Sequence, residues 1–86
     1  MSPIELADLL EQLSRRHTEK WRVDKEPHSY PDGTTHFNHV RFTTKYEDEE
    51  LQVQVASYVT PDLAELLCLL HNNLPTIIAA LRANST

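Results

Sequence analysis

The chain has 86 residues and a formal net charge of -5, with 13 acidic side chains against 8 basic ones. That length suits one domain rather than two, and the acidic balance disfavours general attraction to nucleic acid or to anionic membranes. A single cysteine, Cys68, excludes an intramolecular disulfide and fits a reducing compartment.

The start, Met1-Ser2-Pro3-Ile4-Glu5, carries neither a basic nor an apolar run. No signal peptide is expected, and the cytoplasm is the default location. Ser2-Pro3-Ile4-Glu5 has the form of a helix start: Ser2 as cap, Pro3 in the first helical position, Glu5 completing a capping box. Leu6, Leu9, Leu10 and Leu13 then recur on one helical face. This helix is expected to end near residue 18 to 20, where Arg15, Arg16 and Lys20 complement the helix dipole.

Trp21-Arg22-Val23-Asp24-Lys25 alternates as a strand, with Trp21 and Val23 expected to face the core. Pro31-Asp32-Gly33 then predicts a turn, since proline presets φ and Gly33, the only glycine, tolerates positive φ. The second strand is expected over about Thr35 to Tyr46. Val40, Phe42 and Tyr46 fall on one face of it, and His39, Arg41, Thr43 and Lys45 on the other. Glu47-Asp48-Glu49-Glu50 is an acidic run read as the next connection. Leu51 to Val59 follows, with Leu51, Val53, Val55 and Val59 expected inward and Gln52, Gln54 and Tyr58 outward.

Thr60-Pro61-Asp62 opens the last helical region, with Thr60 as cap. Its apolar positions, 63, 66, 67, 70, 74, 77, 78 and 81, stay in phase across Pro75, which predicts a kinked helix or two short ones on one sheet face. Polar residues within Leu63 to Leu81 make it a core helix rather than a membrane span. Asn84-Ser85-Thr86 is read as a frayed tail. The fold class is therefore α+β: an N-terminal helix, a three-stranded antiparallel meander and a C-terminal helical region in two layers.

Catalytic and metal signatures are weak. The chain has no Gly-x-Ser-x-Gly, no phosphate-binding glycine loop and no His-Glu-x-x-His. Cys68 and His71 lie three apart on a helix with nothing evident to orient the histidine. A metal site would draw on His28 and His36 across the turn, with Asp32 or Asp24 as third ligand; His36 and His39 fall on opposite strand faces. No metal, cofactor or enzymatic activity is expected. The outer sheet face instead offers Arg22, His39, Arg41, Gln52, Gln54 and Tyr58, and tyrosine and arginine are common interface anchors. Asp24 and Glu26 share that face and offset its basic charge, which disfavours nucleic acid. The acidic turn Glu47, Asp48, Glu49 and Glu50 suits a basic partner. A protein partner is thus the leading expectation, and a homodimer is a further one, since association supports so small a core.

Asp62-Leu63-Ala64-Glu65-Leu66-Leu67 followed by Asn72-Asn73-Leu74-Pro75-Thr76-Ile77-Ile78-Ala79-Ala80-Leu81 resembles a tail found in small phage and prophage proteins, the Ead-type accessory proteins of lambdoid phages among them. In such proteins a tryptophan-led strand and a short sheet precede the tail, which Trp21 and the following strands resemble. The glycine-poor middle and the N-terminal helix depart from that group. The resemblance implies a non-enzymatic accessory protein in a bacterial host that binds and modulates a host protein, including inhibition of defence systems such as CRISPR. No residue-level role carries over. Two alternatives stay open: a small oligomer that sequesters a nucleotide or other small ligand, and a nucleic-acid-associated regulator.

Overall fold

The computed structural model describes residues 1–84. In chain order it has α1 (Pro3–Ser14), β1 (Arg22–Tyr30), β2 (Gly33–Tyr46), β3 (Glu49–Val59), α2 (Pro61–Asn72) and α3 (Leu74–Ala83). The three strands form one open antiparallel sheet in the order β1-β2-β3. The class is α+β, as expected. Two compact units are present: Met1–Thr18 with the chain from Asn72 on, and Glu19–His71. Of the proposed tail, Ser85 and Thr86 lie outside the described residues.

In the first unit α1 packs against α3. Ser2 Oγ accepts the Glu5 N–H at 3.1 Å and Pro3 sits at the start, where its missing donor costs nothing. The helix stops at Ser14, earlier than expected. Its apolar recurrence ends at Leu13, and Ser14 Oγ donates to the Glu11 carbonyl at 3.4 Å, a side-chain bond that competes with helix continuation. Ala7 is fully buried, whereas Leu6, Leu9 and Leu13 are exposed. The small position is buried most completely, while Leu10 of the leucine stripe is half-buried. Arg82 of α3 pairs with Asp8 at 3.1 Å and with Glu11.

The second unit is the sheet with α2. Pro31-Asp32 links β1 to β2, and Gly33 has φ +143, a backbone that residues with a Cβ rarely adopt. The turn lies where the sequence predicts it, but β1 runs past Lys25 to Tyr30. Pro27 is accommodated because β1 is an edge strand. Glu47 (φ 50) and Asp48 (φ 68) form the two-residue turn into β3, and left-handed backbone at both positions is the type I′ geometry that matches strand twist. Glu49 and Glu50 belong to β3 rather than to the connection.

Val40 is fully buried against Ala64 and Cys68 of α2, with Trp21, Ala56, Val59 and Leu67 packed around them. The small face of α2 thus meets the sheet. Leu63, Leu66, Leu69 and Leu70, most of them on the expected apolar stripe, are 43–56% exposed. Val23, Leu51 and Val55, expected inward, are also exposed. For Val55 the cause is a shift in β2–β3 register between Asn38 and Arg41, after which Ala56 lies opposite Val40.

The C-terminal helical region is two helices, broken at Asn73. Thr60 Oγ1 accepts the Leu63 N–H at 3.3 Å to start α2. Pro75 lies in the first turn of α3, where proline is tolerated. Among the described residues no single helix is long and apolar enough to cross a membrane.

Candidate interaction face

Strand alternation and register place Arg22, Asp24, Glu26 and His28 of β1 on one sheet face with Phe37, His39, Arg41 and Thr43 of β2 and Gln52 and Gln54 of β3. α2 packs on the opposite face, the one holding Val40 and Ala56. Five of the six residues expected on the outer face, Arg22, Arg41, Gln52, Gln54 and Tyr58, form a connected polar surface there.

The arginines are anchored. Arg22 places Nε 3.0 Å from Asp24 Oδ1, Nη1 2.8 Å from Thr43 Oγ1 and Nη2 2.6 Å from Gln52 Oε1. Arg41 donates Nε and Nη2 to Gln54 Oε1, each at 3.2 Å, and Nη1 to Asp24 Oδ2 at 3.4 Å and to Glu26 Oε1. Gln54 passes the chain on to Ser57. The Arg41 guanidinium holds the Glu26 carboxyl below its ordinary range, and Glu26 in turn raises Arg41. Each guanidinium thus spans strands and locks a planar donor fork in place.

Tyr58 stands at one end of this network. It has φ 55 and a side chain 64% exposed. Its ring meets Phe37 edge-on at 5.2 Å, His39 edge-on at 5.1 Å and His28 at 6.0 Å. Left-handed backbone costs a non-glycine residue energy and persists where surrounding contacts impose it. Here the Tyr58 N–H donates to His39 Nδ1 at 3.3 Å.

Two expectations need correction. His39 is not a surface anchor: it is 2% exposed, because the register shift lays Tyr58 against its ring. His28 does not face His36: the register sets His28 opposite Thr35 and His36 opposite Pro27, on the other face. The acidic residues Glu47, Asp48, Glu49 and Glu50 are exposed but lie at the far end of the β2–β3 hairpin. Tyr46 pairs with Glu49 while Asn38 pairs with Val59, and eight strand residues span about 26 Å. The turn and Tyr58 are therefore separate features.

Phe37 and His28 are site members that periodicity did not flag, since their role depends on β1–β2 register. Cys68 is buried, and burial pushes its thiol up. His71 stacks on Trp21 with centroids 3.8 Å apart and hydrogen-bonds the Glu19 carbonyl at 2.8 Å. No family model, curated protein or solved structure matches the chain.

Proposed function

We propose that this chain is a non-enzymatic binding protein that docks its polar sheet face on a host protein and modulates it. In this reading it is a phage accessory protein, and blocking a bacterial defence system is the expected outcome of binding. Tyr58 carries the docking face: an exposed aromatic ring braced edge-on by Phe37 and His39. A ring already held in place loses little freedom on binding and suits an interface anchor. The Arg22 and Arg41 networks extend that surface, and the acidic turn supports steering towards a basic partner. The phage context rests on the tail resemblance over Asp62–Leu81.

The test is capture from bacterial lysate on the immobilised protein, with mass spectrometry of what is retained. The expected result is one stoichiometric host protein that binds wild type, binds more weakly to Tyr58→Ala and is lost on Tyr58→Ala with Arg41→Ala, at unchanged circular dichroism. Undiminished binding by the folded variants would rule out this face. A second reading, self-association, is favoured by the exposed leucines of α2. Sedimentation analysis should then give a dimer that Leu66→Glu dissociates.

A further inference from the structure

The polar sheet face holds a second arrangement, set behind the Tyr58 ring by His28 and His39. Glu26 and His28 are two apart on β1, and His39 lies on the same sheet face of β2, opposite Asp24. One donor atom from each of the three side chains lies within 4.8 Å of the other two. His28 Nε2 and His39 Nε2 are both buried and lack a hydrogen-bond partner among the described residues. Buried ring nitrogens are normally satisfied, so two orphans beside one carboxylate call for a shared occupant. Glu26 Oε2 is 3.6 Å from His39 Nε2, near the roughly 3.4 Å that separates two ligands on one tetrahedral zinc ion.

We propose that Glu26, His28 and His39 bind a divalent transition-metal cation of the zinc type. Two imidazoles with one carboxylate suit zinc, cobalt or nickel rather than magnesium or calcium. Three protein ligands leave a fourth position for water or for a group from outside. The carboxylate is pre-oriented: Arg41 binds Glu26 through Oε1 and leaves Oε2 on the histidine side, the outer-shell support that metal ligands commonly have.

One contact must change. His39 Nδ1 accepts the Tyr58 N–H at 3.3 Å, which places the ring proton of the neutral metal-free imidazole on Nε2. A cation on Nε2 requires that proton on Nδ1, where it opposes the Tyr58 donor. Metal binding therefore switches the His39 tautomer and releases the Tyr58 amide. Tyr58 lies at the register shift of β3, where the ladder is already interrupted. This site does not depend on the docking reading, since it concerns occupancy rather than a partner.

The experiment is titration of the full, untagged, chelator-treated chain with zinc sulfate, followed by equilibrium dialysis, thermal melting and long-range proton–nitrogen NMR of the imidazoles. One equivalent of zinc should bind and raise the melting temperature. The His39 proton should move from Nε2 to Nδ1, with a shift of the Tyr58 amide resonance. His28→Ala should weaken binding at least tenfold, and His36→Gln, on the opposite face, should leave it unchanged. Failure of the wild type to bind zinc would overturn the proposal, as would zinc binding that survives both His28→Ala and Glu26→Gln. So would a His39 tautomer that zinc does not move.

Discussion

Replacing Val40 with alanine tests which surfaces hold the sheet and α2 together. Among the described residues Val40 is the largest side chain with complete burial, and it packs against Ala64 and Cys68. Val40→Ala removes two methyl groups, about 1.6 kcal/mol of transfer free energy at ~0.8 kcal/mol each. The cavity left behind brings the cost to about 2–3 kcal/mol. An 86-residue chain has a total stability of about 4–13 kcal/mol, so this one change removes a large part of it. The midpoint of thermal unfolding should fall by about 10–20 °C. Trp21, the single tryptophan, packs against the same cluster and reports unfolding of this unit in urea by fluorescence. The midpoint should drop with an unchanged denaturant slope. Leu66→Ala is the control: Leu66 is 50% exposed and its truncation should cost less than about 1 kcal/mol. If Leu66→Ala proves the costlier change, α2 presents its leucine stripe to a partner surface and the assignment of Ala64 and Cys68 as the contact face is wrong.

Further outcomes follow from other parts of the molecule. Glu47→Asn with Asp48→Gly should raise stability by about 1 kcal/mol in urea, since both positions have positive φ and Asn-Gly is the preferred type I′ pair; no gain would refute the type I′ assignment. Tyr58→Ala should weaken a captured partner by about 2 kcal/mol, roughly thirtyfold in isothermal titration, with the free energy of unfolding in urea changed by no more than about 1 kcal/mol. Leu66→Glu should leave a monomer folded and split a dimer in sedimentation velocity, and a dimer that persists removes α2 from the interface.

The order of elements was legible because each carries a local signal with one physical cause. Ser2-Pro3 and Thr60-Pro61 cap helices, Pro31-Asp32-Gly33 turns a hairpin, and Gln52 and Gln54 alternate with apolar neighbours. What the sequence concealed depends on registration between segments. His28 and His39 come together only because Tyr30 pairs with Gly33; a slip of one residue would bring His36 across instead. The burial of His39 depends on a bulge that no periodicity announces. The leucines misled for a different reason. An apolar stripe marks a surface that favours burial, but close approach to a sheet favours small side chains, and Ala64 and Cys68 meet that need.

The polar face is more restrictive than its composition suggests. Two arginines on one sheet face would attract phosphate or an acidic protein if they were free, yet Arg22 is tied to Asp24 and Arg41 to both Asp24 and Glu26. A phosphate competing for either guanidinium would have to displace a carboxylate already positioned for it, and the displaced carboxylate would repel the incoming anion. That arrangement disfavours phosphate at these two guanidiniums. What remains available is the Tyr58 ring at one end and acidic side chains at the other, so a partner would gain aromatic burial at the first and meet negative charge at the second. If the Glu26, His28 and His39 cluster takes a cation, its effect would fall on Tyr58, whose amide holds the His39 ring. A partner bound through Tyr58 should then respond to zinc with a change in affinity, and Glu26→Gln, which leaves the ring contacts of Tyr58 in place, should abolish that response.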